Sequence, residues 1–448
     1  MSIYSIIKYI YNLIKGYSLT NKSSPTFIVE TQGCKLNQAD SLEITNKLLE
    51  SGYSISNTNK YADIFVLNTC TVTHIADRKA RGRIRNFKRS NPESTIVATG
   101  CYAERSGEFL NSMEEIDLVI SNQKKENITT AISNQLSLNQ DFIKPFPSNL
   151  IKNPKAKTRA MVKIQEGCDQ VCSYCIVPIV RGREKSIPLN QIVNQINKFS
   201  EMGYKEIVLT GTQLGSYGFE FKDINLLQLL NNILKNTDVP RLRISSLQPQ
   251  DLNPNLLELW ENPRLCPHLH IPLQSGNNHL LKKMRRRYTR EIFEETIKLV
   301  RNKIKDVSIT TDVIVGFPGE DQQSFQDTYK LCQNIKFSNM HIFPYSKRPK
   351  TSAAYFENHV TPNIKSDRVK NLIELSKKHK YEFEHNFDKS IRTVLWEESY
   401  TEQNKIYWSG LTDNYLKVFT ENKNNLRNII NKVRLDHDNY KLIGKTLS

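Results

Sequence analysis

Six of the eight cysteines fall into two sets whose spacing could do chemistry. Gly167-Cys168-Asp169-Gln170-Val171-Cys172-Ser173-Tyr174-Cys175 places three thiols within eight residues, separated by three and then two residues, with no fourth ligand following nearby. Structural zinc wants four closed tetrahedral ligands, usually as two separated pairs, so this compact triplet fits zinc poorly. On a cubane [4Fe–4S] cluster, three thiolates leave one iron free to bind something that is not protein, and an open iron implies catalysis. Cys34, Cys70 and Cys101 form the second set. They are far apart in sequence, yet each lies two or three residues after a short β-rich run: Thr26–Thr31, Ile64–Asn68 and Thr95–Thr99. Cys266 and Cys332 have no spaced partners and read as buried or surface residues.

The elements between these runs explain how the second set could assemble. Helical patterns around Ser41–Leu49 and Ile75–Phe87 alternate with the runs, which implies right-handed crossovers and a parallel sheet whose strands all end on one side. Cys34, Cys70 and Cys101 then converge above the carboxyl edge, where open α/β folds bind ligands, and the spacing predicts a second three-thiolate [4Fe–4S] cluster. A Pro- and Lys-rich stretch ends the domain. Strand candidates recur at Ala160–Gln165, Glu206–Thr210, Arg241–Ser245, His268–Ile271, Ser308–Val315 and Met340–Pro344. Six strand–helix units fall short of the eight of a closed barrel, so a partial (β/α)6 barrel with its site at the carboxyl face is expected. Beyond about residue 380, the runs Arg392–Trp396, Lys405–Ser409 and Tyr415–Phe419 suggest a small all-β barrel. The expected α/β organisation is an extension at 1–25, an open parallel α/β sheet domain at 26–145, a linker at 146–158, the partial barrel at 159–380 and the small barrel at 381–448.

Composition bounds the function. A chain of 448 residues with 38% hydrophobic and 24% charged side chains is globular, not disordered or collagen-like. Its 63 basic and 46 acidic residues leave +17, which favours a polyanionic partner, nucleic acid ahead of a membrane surface. No stretch approaches the ~20 apolar residues of a membrane span. Residues 1–17 lack the features of a secretory signal, so a reducing, cytoplasmic setting is expected, in which clustered cysteines hold metal. Arg78 to Arg89 holds seven cations in twelve residues, Arg81 and Arg83 among them, and Lys282 to Arg287 holds five in six. Both runs are candidate phosphate contacts. Residues 382–448 carry ten basic and ten acidic side chains, so any phosphate attraction there is local or weak.

The sequence resembles the methylthiotransferase family of radical S-adenosylmethionine enzymes from about Thr26 to Lys441. The resemblance rests on Thr31-Gln32-Gly33-Cys34-Lys35-Leu36-Asn37-Gln38, Asn68-Thr69-Cys70-Thr71, Thr99-Gly100-Cys101, the central triplet, Arg181-Gly182-Arg183-Glu184, Leu273-Gln274-Ser275-Gly276 and Val315-Gly316-Phe317-Pro318-Gly319-Glu320. It implies two [4Fe–4S] clusters. The Cys168, Cys172 and Cys175 cluster would chelate S-adenosylmethionine and reductively cleave it to a radical that activates an inert adenine carbon. The Cys34, Cys70 and Cys101 cluster would supply sulfur, and the C-terminal domain, called TRAM, would hold RNA. Carried onto this chain, the S-adenosylmethionine contacts are Tyr174 and Val315-Gly316 for adenine, Thr210-Gly211-Thr212 for the amino group and Ser245 for ribose. Cys34-Lys35-Leu36-Asn37-Gln38, Thr210 to Gly218 and Met284-Arg285-Arg286-Arg287-Tyr288 look most like the enzymes acting on threonylcarbamoyladenosine beside the anticodon of transfer RNA. The alternatives are an isopentenyladenosine or a ribosomal-protein methylthiotransferase, and, from another class, a non-catalytic iron–sulfur RNA-binding protein. Arg285, Arg286 and Arg287 are expected at the phosphates of the anticodon stem-loop or at the threonyl carboxylate. The chain departs from the family pattern at Ile187, Gln213 and Lys350. An electron donor and a sulfur source are implied partners.

Overall fold

The computed structural model describes residues 24–136, 158–438 and 441–447. The extension to residue 23 and the linker to residue 157 lie outside the described residues.

Strands β1 (Thr26–Thr31), β2 (Ser54–Ile55), β3 (Ile64–Thr69), β4 (Thr95–Gly100) and β5 (Leu118–Ile120) form one parallel sheet in the order β2-β1-β3-β4-β5. Central β3 is buried along its whole length, as its Ile-Phe-Val-Leu run requires of a strand covered on both faces. Alternation sends Ile64 and Val66 to the face covered by helix α1 (Lys35–Glu50), where they meet Ile44 and Leu48. Phe65 and Leu67 go to the other face, against Ala80, Ile84 and Phe87 of α2 (His74–Ser90). The Thr73 side chain caps α2 by accepting from Ala76 N at 3.1 Å. Helix α3 (Cys101–Asn111) starts directly at the end of β4.

Strand β6 (Arg159–Lys163) opens the second unit and is followed by a two-residue hairpin, β7 (Gln165–Glu166) and β8 (Lys185–Ser186), enclosing the short helix α4 (Val177–Arg181). Strands β9 (Glu206–Thr210) and β10 (Arg241–Ile244) pair with β6 in the order β10-β9-β6. Strands β11 (His268–His270), β12 (Ser308–Val315) and β13 (Asn339–Pro344) form a second parallel trio. Bridges between Leu242 and Leu265 and between Ser246 and His270 join the trios into one six-stranded incomplete barrel. Its outer layer buries Ile192, Leu229, Phe293, Leu331 and Leu372 in one continuous core with the strands.

The third unit is a closed barrel of β14 (Ile391–Glu402), β15 (Lys405–Thr412), β16 (Lys417–Glu421), β17 (Ile430–Asp438) and β18 (Lys441–Thr446), in the order β14-β15-β16-β18-β17. It closes through β14 and β17 over Val394, Trp396, Trp408, Val418 and Val433. The strand expected from Tyr415 begins only at Lys417, because Tyr415 takes φ 70° in the preceding turn. This barrel docks on the amino ends of the incomplete barrel's strands: Arg241 donates to the carbonyls of Leu411 (2.9 Å) and Thr393 (2.6 Å), and Arg159 pairs with Glu397 at 2.7 Å. No helix among the described residues is long and apolar enough to cross a membrane.

Candidate active site

Three parallel strands deliver three cysteines to one edge. Cys34 caps α1 just past β1, Cys70 follows β3, and Cys101 opens α3 after β4. The side chains of the surrounding motif stitch these ends together. Asn37 Nδ2 donates to the carbonyls of Gln32 (2.7 Å) and Thr69 (3.0 Å), and Asn68 Nδ2 donates to the Asn37 carbonyl at 2.8 Å. Gly33 has φ 101°, and a Cβ there would stand 2.7 Å from Cys70 Cβ, so the close approach of the two cysteine loops excludes any larger residue. Cys34 faces the open side, and Cys70 and Cys101 are buried. Burial pushes the Cys70 thiol up to about 12, against the backbone N–H groups of Val72 and Thr71 that point at its sulfur.

The central triplet lies on the loop between β7 and α4. Cys168 N donates to the Gly182 carbonyl at 3.1 Å, and Cys175 N donates to the Cys172 carbonyl at 3.1 Å. Burial raises Cys168 to about 11 and Cys175 to about 12, so iron binding displaces protons from these thiols. A single tetrahedral zinc would hold its sulfurs about 3.8 Å apart. Among the described residues, the only three-donor group with every ligand atom within 4.8 Å of the others is His270, Asp312 and His341. Both cysteine sets are therefore more open than one ion requires, and three all-thiol ligands with N–H donors at sulfur fit polynuclear iron–sulfur clusters.

The two sets face each other across α4. This helix begins two residues after Cys175 and ends at Arg181, whose Nε donates to Cys101 Sγ at 3.3 Å. Cys101 also packs directly on Ile176 and Val180. Five helical residues rise only about 7.5 Å, so α4 separates the two sets by a short span. The Arg181 side chain is 2% exposed and binds Asp40 (2.7 Å) and Glu166 (2.6 Å) through one nitrogen, with Asn37 Oδ1 on another. Lys125 (2.8 Å) and Lys163 (3.0 Å) complete the ring of cations around Asp40.

The expected S-adenosylmethionine residues gather at strand ends. Thr210 closes β9, Ser245 follows β10, and Ser245 N donates to the Leu209 carbonyl at 3.0 Å. Gln165 Oε1 accepts from the backbone of both Thr212 and Gln213 at 2.9 Å, and a Cβ on Gly211 would meet the Gln165 carbonyl at 2.7 Å. The Thr212 hydroxyl is buried without a protein hydrogen-bond partner, which suits a polar ligand. The Tyr174 ring meets Phe317 edge-on at 6.5 Å, next to Val315 and Gly316 in the chain. The Val315 side chain belongs to the core, and the Gly316 N–H is spent on Glu320 Oε1 at 2.7 Å.

The arginines expected at RNA take different positions. Arg286 turns inward, donating to Cys172 Sγ (3.4 Å), Gln248 Oε1 (3.0 Å) and Tyr288 Oη (3.2 Å) beside the cluster loop. Arg285 and Arg287 stay exposed beside it. Arg83 pairs with Glu30 at 2.7 Å and covers Phe65, and Arg81 donates to Tyr102 Oη at 2.7 Å, both within their own domain. Arg78, Lys79, Arg85 and Arg89 are the exposed cations of that run. Sequence reasoning assigned no role to Gln165, Gln248, Arg181 or Asp40. For Arg181 the signal was its place in the quoted Arg181-Gly182-Arg183-Glu184 motif.

Comparison with known proteins agrees with this layout. Residues 26–121 match the uncharacterized protein family UPF0004, and residues 162–332 match the radical SAM superfamily. Threonylcarbamoyladenosine tRNA methylthiotransferase MtaB of Bacillus subtilis is 36% identical over 92% of this chain and 93% of its own length. The MtaB of Aquifex aeolicus is 38% identical over 88% of this chain and 96% of its own. The tRNA-2-methylthio-N(6)-dimethylallyladenosine synthase of Endomicrobium trichonymphae is 36% identical over 89% and 94%. Among solved structures, the radical S-adenosylmethionine methyltransferase TsrM of Kitasatospora setae superposes with TM-score 0.52 at 14% identity, covering 74% of this chain and 77% of that one, a likeness of fold alone.

Proposed function

The chain belongs to the radical S-adenosylmethionine methylthiotransferases of transfer RNA, and from that premise we propose that it methylthiolates threonylcarbamoyladenosine next to the anticodon. The observation that carries the methylthiotransferase reading is the pair of three-thiol sets joined by Arg181 across one short helix. When bound, the cluster at Cys168, Cys172 and Cys175 with S-adenosylmethionine supplies the radical chemistry, and the cluster at Cys34, Cys70 and Cys101 supplies sulfur.

The protein's part is positioning. Gln165 fixes the 211–213 loop by its backbone, and Gln248, held by Gln170 at 3.0 Å and by Arg286, ties that loop to the triplet. Arg286 and Arg181 each place a fixed positive charge and an N–H at a ligand sulfur, Cys172 and Cys101 respectively. The exposed cations Arg183, Arg285, Arg287 and Lys282 rim the same face and suit the phosphates of a stem-loop. An electron donor and a sulfur source complete the reaction, and a transfer RNA substrate supports a cytoplasmic setting.

Relatives of both the threonylcarbamoyl and the dimethylallyl kind stand at 36% identity, so the substrate is a matter for direct assay. Methylthiolation of anticodon stem-loops carrying each modification decides it. Preferential turnover of the threonylcarbamoyl RNA is expected, and preference for the isopentenyl RNA would overturn the substrate reading while leaving the reaction class standing.

A further inference from the structure

The interior of the incomplete barrel holds more positive charge than its own acids neutralise. A cavity of about 330 Å³ is lined by Lys35, Arg243, His268, His270, Thr310 and His341, together with Ser308, Ser338 and Asn339, and continues to Lys417 of the small barrel. Arg243 is 4% exposed, yet its guanidinium donates only to His268 Nδ1 (3.2 Å from Nε) and lies 4.2 Å from the centre of the Tyr415 ring. Among the described residues, neither Arg243 nor Lys35 has a carboxylate within ion-pairing distance. The acids nearby are engaged elsewhere: buried Glu206, whose charge Arg243 also feels, accepts from Tyr415 Oη and faces Arg241 at 3.8 Å. Asp312 is held by His270 Nε2 and His341 Nδ1, each at 3.2 Å, and Glu384 at the far end faces Lys380 at 3.6 Å. A buried cation without a counter-charge is costly, and a bound anion removes that cost.

The His270, Asp312 and His341 group has the spacing of a cation site, but Lys35 and Arg243 share its cavity and repel a metal ion. The anion reading is the one the charges favour. Its place in the molecule says which anion. Lys35 directly follows Cys34, so the cavity begins one residue from the sulfur-supplying centre, and His341, with its side chain 51% exposed on β13, marks the mouth.

We propose that this cavity receives the N6 substituent of the substrate adenine, with Lys35 and Arg243 as counter-charges for its carboxylate; the proposal rests on the threonylcarbamoyladenosine reading. The Ser308, Thr310, Ser338 and Asn339 groups suit a carbamoyl and a hydroxyl, while an isopentenyl group would strand the same buried polar atoms. The carboxylate site is thereby inside the barrel and not at Arg285–Arg287.

The test uses the full chain with both clusters loaded and three stem-loop RNAs, bearing threonylcarbamoyladenosine, its carboxamide analogue, or isopentenyladenosine. For the wild type, kcat/KM and equilibrium binding should both favour the carboxylate over the carboxamide by about tenfold to a hundredfold, the range of a charge-assisted hydrogen bond. Lys35→Met, and separately Arg243→Met, should bring that ratio close to one with iron content intact. Equal treatment of carboxylate and carboxamide by the wild type overturns the proposal without any variant having to fold, and so does full discrimination retained in Lys35→Met. Preference for the isopentenyl RNA would instead overturn the substrate reading, and the proposal with it.

Discussion

Arg181 shows what a single side chain contributes to the two centres. It belongs to the incomplete barrel, yet it donates to Cys101 of the upstream set and to Asp40 of the first domain, so the sets are coupled physically while their ligands stay separate. Separate ligands should mean separable losses. Anaerobic reconstitution is expected to give about eight irons per chain, and replacing Cys34, Cys70 and Cys101 with Ala should leave about four. That variant should lose methylthiolation and still cleave S-adenosylmethionine. Iron and cleavage assays on one preparation check both statements, and loss of cleavage in a folded, four-iron variant would refute the division of labour. The six cysteines were legible in the sequence because spacing and strand-end position mark them. Arg181 and Asp40 were not, since their partners lie up to 144 residues away in the chain and only docking of the domains brings them together.

Elements were legible where periodicity was strong. β1, β9 and β12 begin and end where the β-rich runs do, because each run is bounded by residues that leave the sheet at the site. Helix α1 was expected from Ser41 but starts at Lys35, since the polar Lys35, Asn37 and Gln38 hide its first turn from an apolar pattern. Asn37 is nonetheless buried, tying the cysteine loops instead of facing water. The strand-end loops are themselves tightly fitted, and Gly33→Ala tests that fit. An added Cβ combines φ 101° with a 2.7 Å approach to Cys70 Cβ, a strain of about 1–3 kcal/mol that the loops can relieve only by separating. The expected result is a destabilised first domain that loses cluster iron toward about four per chain while S-adenosylmethionine cleavage persists. Full iron loading with unchanged denaturation would show that the loops are looser than their geometry implies.

At the scale of the whole molecule, three units stack around the barrel. The small C-terminal barrel holds the amino ends of its strands and carries no net charge over residues 382–448; the first domain is balanced too, and the incomplete barrel with the segments before each domain carries the chain's +17. The first domain is tied to the incomplete barrel by two buried carboxylates, Asp77 on Arg348 at 2.8 Å and Asp40 on Arg181 at 2.7 Å. Burial alone would raise the Asp40 carboxyl, but Lys125, Arg181 and Lys163 outweigh it and hold it well below the usual range. Because its folded-state pKa lies below the unfolded value near 3.9, its stabilising effect is complete above that value and fades as pH falls below about 4. Asp40→Asn leaves three cations with only Glu166 and the outlying Glu43 and should cost about 3–5 kcal/mol. Anaerobic urea denaturation of both proteins should show a gap of that size, flat from pH 5 to pH 8, since Asp40 stays ionised throughout. A gap that narrows within that window would mean that the carboxylate titrates there and that the cations do not hold it. The absence of any gap would mean that the first domain is kept in place by its apolar contacts with β6 and α4, and that the ion network orients Arg181 toward Cys101 without stabilising the interface.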